Sequence, residues 1–541
     1  MSSKGSDAAG KSPTRSSNRK IILYALIGVL AVAAVSVSVF SKQATTGNPP
    51  DTNQTAAAQE QEYRQQFCGL GFTPKSTDFI REISLPSQCE VPLAVYVDNN
   101  NTVWYVSTKD GALGSFNTAA GTFGKEYKIP SWQPRNHLVG APEMVWDLKP
   151  DKSGNMWLVT EGNAIWKFDR STEKFYVYKT PEIYPSSFDF DNNGNIYFTG
   201  FFAKSLWYAD VSKLKNGTSE GISEIPLPLD AFKGLNATLG SGSITIDRAH
   251  NAVWLPVLAF DQKGVIYHYD AATKHVDNYT LPPELKSPSS TALDSSGRLW
   301  VTDHATSTFF SLDPSTKSIT SYVTSTASPR LFDGQTVPNA YTLPYWIKAS
   351  PTGDGALWFN EHEGNQIAKF NPSNETLTEY WIPTQNPIWS GKEGCTQCGL
   401  ANALQLAIGQ SGEVWFSEWT QNNIAELDAG KQAPVSVTTE KTDYKVQRGG
   451  SLEIRLNVNA NSDFKGNMIS SGTLTPTGSL GNSTGTFSEP SVNIAKGDSK
   501  QLSYVFEPSP NLKPGNYTLM LGTANDQISY LKAVHVTLTA S

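Results

Sequence analysis

The sequence predicts an all-β protein: a seven-bladed β-propeller followed by a C-terminal immunoglobulin-like β-sandwich, with an N-terminal transmembrane helix in front. Two patterns favour β structure: a strand-rich repeat fills residues 90–428, and alternating strands follow in residues 433–541. Composition agrees, because 11% of residues are aromatic, 17% are charged, and glycine and proline number 42 and 32. The formal net charge of -7 provides no basic face, so we expect no nucleic acid partner.

The first forty residues have the pattern of a membrane anchor. Residues 1–20 are basic and form a predicted cytoplasmic tail, whereas residues 21–40 contain no charge. Twenty apolar or small residues at about 1.5 Å each span a hydrocarbon core of roughly 30 Å. A cleaved signal peptide is the alternative, although its apolar core is usually about 7–15 residues long. We expect a single-pass protein of the cell membrane whose bulk is extracytoplasmic.

A predicted flexible stalk, residues 41–67, follows the anchor, because it holds almost no large apolar side chain. An extracytoplasmic location also predicts a glycoprotein. Seven N-x-S/T sequons lie in the folded region, at Asn100, Asn216, Asn236, Asn278, Asn374, Asn482 and Asn516.

The propeller is predicted over residues 68–432 from seven repeat units, numbered here in chain order. Each unit is recognised by one aromatic residue in its second strand: Trp104, Trp157, Tyr197, Trp254, Trp300, Trp358 and Trp415. A short apolar strand, a D/S-x-G turn, an L-W-F strand, an I-x-x-F strand and an alternating outer strand make up the pattern. A β-solenoid is the alternative, but its rungs are usually shorter than these units.

The two ends of the repeat region are expected to meet. Unit 7 ends at Asp428 without an outer strand, and residues 78–86 (DFIREISLP) have the outer-strand pattern of LTEYWIP in unit 6. We predict that residues 78–86 supply the outer strand of unit 7, which removes a free sheet edge.

Residues 433–541 are predicted to form the sandwich, because four alternating strands are separated by Gly, Pro, Asn and Ser. The PGNYTL run resembles the tyrosine corner of immunoglobulin-like domains. The expected role is that of a spacer or adhesive module.

One face of the propeller is expected to gather polar and aromatic side chains. In each blade, the loop before the first strand and the loop after the second strand emerge together. The positions after the second strand hold Glu161, Asp303, His304, Glu361, His362, Glu418 and Trp419. The positions before the first strand hold Trp146, Tyr345 and Gln405. This mixture suits a metal or a polar ligand, whereas the bland alternative is that these side chains only bond neighbouring backbone.

The repeat string G-x-L/V-W-F-x-E-x-x-x-N-x-I, with an outer strand of T-E-Y-x-I/L-P type, resembles virginiamycin B lyase, a streptogramin lyase. The similarity covers about residues 78–428 and is clearest at 353–383 and 411–428. The resemblance implies a seven-bladed propeller and a Mg²⁺-dependent elimination that opens a cyclic depsipeptide antibiotic. It is more specific for the fold than for the activity.

The resemblance also implies where the chemistry would lie. The family pattern places a general base at Gln405, a metal carboxylate at Ala403 and a substrate-contacting histidine at Tyr345, and only Glu418 matches. Glutamine cannot take a proton at neutral pH, and alanine cannot bind a cation. The replacements argue against that particular elimination.

The sequence therefore predicts a propeller that binds a small molecule or a surface protein, with Trp146, Tyr345, Gln405 and Trp419 as ligand-contacting residues. The alternative is a metal-dependent lyase or hydrolase with a rearranged site. Its catalytic residues would be His304, His362 and Glu361, with Glu361 and Glu418 holding a divalent cation such as Mg²⁺. A purely structural envelope component is the third option.

Long loops and four cysteines lie on the same predicted face. Residues 131–145, 324–344 and 384–402 each enter a unit there, and such loops commonly carry binding sites. Cys395 and Cys398 form one C-x-x-C pair, readable as a redox or zinc pair. Outside the membrane, disulfides among Cys68, Cys89, Cys395 and Cys398 are favoured, with three pairings open.

Overall fold

The structure is a computed structural model, and it describes residues 73–132, 144–260, 262–325, 341–386, 399–473 and 483–540. The predicted tail (1–20), anchor (21–40) and stalk (41–67) lie outside the described residues and stay predictions. Within the described ranges, none of the helices has the length and apolar character needed to cross a membrane.

Four-stranded antiparallel sheets follow one another along the repeat region, as the repeat pattern predicts. Strand β1 (Ile80–Ser84) precedes unit 1. Unit 1 contains β2 (Pro92–Val97), β3 (Thr102–Ser107), β4 (Ala112–Asn117), β5 (Thr122–Phe123) and β6 (Tyr127–Lys128). Unit 2 contains β7 (Val145–Pro150), β8 (Met156–Thr160), β9 (Ala164–Asp169) and β10 (Lys174–Lys179), and unit 3 contains β11 (Pro185–Phe190), β12 (Ile196–Gly200), β13 (Ser205–Ala209) and β14 (Ile222–Pro226). Unit 4 contains β15 (Leu239–Ser241), β16 (Thr245–Asp247), β17 (Ala252–Ala259), β18 (Lys263–Asp270) and β19 (His275–Thr280). Two short 3₁₀ helices, Val211–Lys213 and Leu229–Phe232, flank β14.

Units 5 to 7 continue the same order. They contain β20 (Pro288–Leu293), β21 (Leu299–Asp303), β22 (Thr308–Leu312) and β23 (Ile319–Val323); β24 (Pro344–Ala349), β25 (Leu357–Glu361), β26 (Gln366–Asn371) and β27 (Thr376–Trp381); and β28 (Leu406–Ile408), β29 (Val414–Glu418) and β30 (Asn423–Leu427). This succession of sheets is consistent with a β-propeller.

In three units, the turn between the first and second strands is bonded to the tryptophan of the second strand. In unit 2, Asp151 accepts hydrogen bonds from the backbone N–H groups of Ser153 and Asn155 and from Nε1 of Trp157, at 2.9, 3.0 and 3.0 Å. Units 1 and 5 repeat this arrangement with the pairs Asp98–Trp104 and Asp294–Trp300. One carboxylate therefore closes the turn and satisfies the indole of a largely buried ring.

Hydrophobic clusters join each unit to the next and join unit 7 to unit 1. At the last of these junctions, Trp415 packs against Phe116 with ring centroids 5.8 Å apart. Ser417 also donates a hydrogen bond to the carbonyl of Leu93 at 2.7 Å. Both faces of each sheet are thus buried against a neighbour.

The predicted closing strand is confirmed. Strand β1 pairs antiparallel with β30, from Ile80 opposite Leu427 to Ser84 opposite Asn423. Phe79 and Ile80 are buried in the cluster between units 6 and 7. The N-terminal end of the described chain is therefore an integral part of its last repeat.

The C-terminal region contains β31 (Val435–Thr439), β32 (Asp443–Gln447), β33 (Leu452–Ala460), β34 (Phe464–Thr473), β35 (Thr484–Phe487), β36 (Ser491–Ile494), β37 (Ser499–Glu507), β38 (Gly515–Ala524) and β39 (Ile528–Thr539). One sheet has the order β31-β33-β37-β35, and the other strands lie in a second sheet that shares its apolar core. The hydroxyl of Tyr517 donates to the carbonyl of Lys513 at 2.7 Å, as a tyrosine corner requires.

The second sheet does not end within the C-terminal region. Its strand β39 pairs antiparallel with β27, the outer strand of unit 6, from Thr376 opposite Lys532 to Tyr380 opposite Ile528. The result is one nine-stranded sheet. The sequence predicts a spacer, whereas main-chain hydrogen bonds join this region directly to the repeat region, because β27 offers a free edge.

Candidate functional site

Four of the predicted site residues come together where the first strand of each unit, called the inner strand below, begins. The imidazole of His304 lies 4.5 Å from the ring of Tyr345 and 4.9 Å from that of His362, measured between centroids. The two imidazoles stack with an interplanar angle of 28°. The ring centroids of Trp146 in unit 2 and Tyr345 in unit 6 are 6.3 Å apart. Side chains from units 2, 5 and 6 thus converge, as the unit geometry predicts.

A repeated backbone contact puts these residues on one face. The first or second N–H after the second strand donates to a carbonyl that precedes the first strand of the same unit. Examples are His304 to Ser287 at 2.8 Å, Phe201 to Tyr184 at 3.2 Å, and Trp419 to Asn402 at 3.3 Å. The loop after the second strand is thereby held beside the entry to the first.

A small cavity of about 50 Å³ opens at this point. It is lined by side chains and backbone of units 3 to 7, namely Phe201, Ser241, Gly242, Leu258, Phe260, Ser287, Ser289, His304, Tyr345, His362 and Leu404. The rings of Phe201, Phe260, His304 and Tyr345 are each partly exposed. An aromatic wall with few polar groups is typical of small-molecule pockets.

The two imidazoles are neutral in this environment. Burial lowers the pKa of His304 well below its usual value of 6.5, and the neighbouring His362 lowers it further. Burial also lowers the pKa of His362. The Nδ1 atom of His362 lies 3.4 Å from Oδ1 of Asn402, and the Nε2 atoms of both rings are buried with no hydrogen-bond partner among the described residues. Two buried polar atoms are thus available to a ligand.

The predicted carboxylates do not join this pair. Glu161 accepts a hydrogen bond from Nε1 of Trp146 at 2.8 Å. Asp303 accepts from the backbone N–H groups of Ser287 and Ala305, at 3.1 and 3.0 Å. Burial raises the pKa of Asp303 to about 6. For these acids the geometry matches the bland alternative of bonding to neighbouring groups.

Glu361 and Glu418 each face a second glutamate within their own sheet. The carboxyl of Glu361 contacts that of Glu379 on β27, and the carboxyl of Glu418 contacts that of Glu82 on β1. Desolvation and the neighbouring acid raise the pKa of Glu361 and of Glu418 well above the usual range. The two predicted metal ligands therefore lie in separate units, and each contacts a different carboxyl group.

A metal ion finds no ligand group in the part of the chain that the structure describes. No set of three or more His, Cys, Asp or Glu side chains there is arranged to hold one. The magnesium ion stays a prediction without a ligand set among these residues.

Gln405 and Trp419 support the site from behind. Nε2 of Gln405 donates to the carbonyl of Trp146 at 2.6 Å, which links unit 7 to unit 2. Trp419 is buried in an apolar cluster with Trp146, Leu404 and Cys89. Neither lines the cavity, and their ligand contact stays a prediction.

The sequence analysis missed the phenylalanines of the cavity. Phe201 follows β12 directly, which is the position that holds His304 and His362 in units 5 and 6. Phe260 follows β17, the strand of unit 4 that contains Trp254. Aligning this position through every unit, without favouring charged residues, would have found Phe201. In unit 4 the same offset from Trp254 reaches Leu258, which also lines the cavity, and it misses Phe260 because β17 is longer.

Most of the three predicted long loops lies outside the described residues, which break at 133–143, 326–340 and 387–398. Cys68, Cys395 and Cys398 also lie outside them. Cys89 is buried and is not a free thiol. Its pairing stays a prediction.

Sheets of this kind with an aromatic cavity at the start of the inner strands define an all-β protein of propeller type. Comparison with solved structures finds similarity to a streptogramin B lyase, with 21% identity, 65% of this chain and 97% of that chain covered, and a TM-score of 0.48. Virginiamycin B lyase from Staphylococcus aureus is similar at 19% identity, with 64% and 98% covered and a TM-score of 0.48.

The WD40 β-propeller domain of Doa1 is similar at 11% identity, with 67% of this chain and 97% of that chain covered and a TM-score of 0.43. No family model matches the chain, and no curated protein matches it. Streptogramin lyases, the family that the repeat motif resembles, are thus among the solved structures to which this chain is similar.

Proposed function

We propose that the protein is a membrane-anchored binding protein of the cell exterior: a closed propeller of seven blades that takes a small ligand with an aromatic or apolar ring in the cavity at His304, Tyr345 and His362. Residues 21–40 hold it in the membrane, and the immunoglobulin-like region braces blade six. The observation that carries the proposal is the pair of buried imidazole Nε2 atoms at the base of an aromatic wall.

Ring surfaces supply the affinity. Phe201, Phe260 and Tyr345 all line the cavity. Covering partly exposed aromatic rings with apolar ligand surface contributes about 25 cal/mol per Å² removed from water. Edge-to-face and offset contacts with a ligand ring add about 0.5–1.5 kcal/mol each.

The imidazoles supply the selectivity. A neutral imidazole has one donor and one acceptor nitrogen. A buried polar atom without a partner costs about 1–3 kcal/mol, and a ligand group that completes its hydrogen bond recovers that energy. A ligand that presents an N–H or O–H beside a ring is therefore favoured over a plain hydrocarbon.

Binding is favoured over catalysis by the surroundings of the two rings. A histidine that acts as a general base is commonly oriented by a carboxylate. Here Asn402 stands beside His362, and Glu361 and Glu418 are directed at other carboxyls. The cavity thus has recognition groups without an oriented base or a cation.

Ligand screening on the full-length protein in detergent micelles tests the proposal. Phenols, anilides and alkylbenzenes of matched size serve as probes, and quenching of tryptophan fluorescence reports occupancy, because Trp146 adjoins Tyr345. Phenols and anilides should bind more tightly than alkylbenzenes. The variant His304→Phe should abolish that preference, and His275→Phe, on the exposed outer strand of unit 4, should retain it.

Equal binding of all three probe classes, or equal losses in both variants, would contradict the proposal. Conversion of a probe or of a cyclic depsipeptide into product would instead favour the lyase or hydrolase alternative.

A further inference from the structure

Beyond the cavity at His304, Tyr345 and His362, a layer of polar residues lies further along the inner strands. In five units, a polar residue stands directly opposite the aromatic residue that identifies the unit. The pairs are Tyr96 with Trp104, Lys149 with Trp157, Asp189 with Tyr197, Thr245 with Trp254, and Lys348 with Trp358. Since the register is shared, these five residues lie at one level of the inner strands.

This layer is separate from the cavity at His304, Tyr345 and His362. Lys348 lies three residues beyond Tyr345 on β24, and Lys149 lies three residues beyond Trp146 on β7. Three residues of strand span about 10 Å. None of the residues that line that cavity belongs to the polar layer.

Lys348 of unit 6 faces groups from units that are not its neighbours. The charges of Asp147 and Lys149 in unit 2 and of Asp189 in unit 3 all act on its ammonium group. Such coupling requires the Lys348 side chain to extend into the space that the inner strands enclose. The side chain is partly buried there.

Both acids in this space already have a cation. Asp147 accepts a hydrogen bond from Nζ of Lys149 at 2.6 Å. Asp189 accepts one from Arg248 at 2.9 Å. The two acids thus face three bases, which leaves one positive charge in excess.

Lys348 is the base without a counter-ion. It has no hydrogen-bond or ion-pair partner within the ranges that the structure describes. Lys149 uses two of its three N–H bonds, toward Asp147 and toward the carbonyl of Phe188, so one N–H is left.

We propose that Lys348, with Lys149 beside it, binds a small oxyanion such as sulfate, phosphate or a short carboxylate inside the ring of inner strands. An oxyanion supplies the missing negative charge and accepts hydrogen bonds from both ammonium groups. Charge-assisted bonds of this kind are about twice as strong as neutral ones. The layer also offers the hydroxyl group of Tyr96 at the same level, whereas the hydroxyl of Thr245 already donates to the carbonyl of Thr291.

The protonation state of Lys348 provides an independent readout. Burial lowers its pKa to about 8, against the opposing effect of Asp147. The ammonium form that holds an anion is thus present below pH 8 and is lost above it. Sulfate is the suitable probe, because its own charge does not change in this range.

The test is a sulfate titration of the full-length protein by calorimetry, at constant ionic strength balanced with sodium chloride. We expect saturable binding at pH 7, with affinity about ten-fold lower at pH 9. The variant Lys348→Met should lower the affinity at pH 7 by about ten-fold or more. Lys348→Arg should retain binding at both pH values, since arginine stays charged.

Lys369→Met is the matched control. Lys369 lies on β26 of the same unit, 5.2 Å from the centroid of Trp358 and 3.3 Å from Asp354, and should leave sulfate affinity unchanged. No saturable binding beyond chloride, equal affinity at pH 7 and 9, or equal losses in Lys348→Met and Lys369→Met would overturn the proposal. Should Lys348→Met not fold, the pH dependence of the unaltered protein and Lys348→Arg decide.

Discussion

The carboxyl group of Glu418, in the last repeat unit, is hydrogen-bonded to the carboxyl group of Glu82, on the strand that precedes the first. Glu82 also accepts hydrogen bonds from the backbone N–H groups of Lys75 and Thr384, at 2.7 and 2.8 Å. These donors favour the charged form of Glu82, so the shared proton belongs to Glu418. Unit 6 repeats the pairing with Glu361 and Glu379.

The first prediction concerns the pH dependence of stability. An unfolded glutamate loses its proton near pH 4.5, whereas burial raises the pKa of folded Glu418 well above that value. The folded protein thus binds more protons, and its free energy of unfolding falls as pH rises above 4.5 until the folded pKa is passed. Glu418→Gln should remove up to about 1.4 kcal/mol per pH unit of this slope.

Urea unfolding at pH 5, 6, 7 and 8 measures the slope. Glu453→Gln, on an exposed residue of β33, is the control and should leave the slope unchanged. A slope that is the same in Glu418→Gln and in the unaltered protein would show that the carboxyls do not share a proton.

The second prediction concerns ring closure. Ile80 is 1% exposed and packs in the cluster between units 6 and 7. Ile80→Ala should lower the free energy of unfolding of the repeat region by about 2–5 kcal/mol. Ser84→Ala, on the exposed end of the same strand, removes one hydrogen bond to Asn423 and should change it by only about 0.5–1.5 kcal/mol. Chemical denaturation followed by tryptophan fluorescence compares the two, and similar small effects would place β1 outside the cooperative unit.

The third prediction concerns the junction between the repeat region and the C-terminal region. Nε2 of His535 on β39 lies 2.9 Å from a carboxylate oxygen of Glu375, which also accepts from the hydroxyl of Tyr322 at 2.7 Å. Hydrogen bonding to Glu375 raises the pKa of His535, and hydrogen bonding to His535 helps to lower the pKa of Glu375 against the effect of burial. The pair is therefore a charged contact between the two regions.

The sign of its pH dependence follows from both shifts. The His535 contribution is full below its unfolded pKa of 6.5 and is lost as pH rises through the raised folded pKa. The Glu375 contribution is present above 4.5 and is lost as pH falls through the lowered one. His535→Gln should cost about 1 kcal/mol near pH 6 and less at pH 8.5. The exposed His250→Gln serves as control, and a cost that is independent of pH would contradict the charged contact.

The fourth prediction concerns the family reaction. Gln405 donates to Trp146, and the carbonyl of Ala403 accepts from Asn360 at 2.5 Å. With these residues at the predicted base and metal positions, the protein should not linearise a streptogramin B, with or without Mg²⁺. Mass spectrometry detects the linear product. Magnesium-dependent opening that falls in Glu418→Ala would overturn this prediction.

The fifth prediction concerns the cysteines. Cys89 is buried beside Leu404 and Trp419 of unit 7, so a bridge to Cys395 or Cys398 is expected rather than only local pairs. Closing so long a loop contributes about 4–5 kcal/mol in the chain-entropy model. Peptide mapping without reduction checks the pairing. Bridges restricted to Cys68–Cys89 and Cys395–Cys398, or four free thiols, would count against it.

The sequence predicts features that repeat and misses features that occur once. The aromatic residue of each second strand and the closing strand at residues 78–86 follow from a pattern seen several times. The pairing of β27 with β39 joins two different patterns, and no local signal selects one outer strand among several. The partners of Glu361 and Glu418 were missed for a similar reason, because a carboxyl that is buried against another carboxyl resembles a surface acid in sequence.

The closing strand also sets the order in which the chain can finish folding during its synthesis. Ser84 and its partner Asn423 are 339 residues apart. At about 5–20 residues per second, a ribosome needs roughly 20–70 s to make the intervening chain. Throughout that interval β1 has no partner strand, and the units that are already made present an open edge. A chaperone that recognises unpaired strand edges would have its longest opportunity at β1.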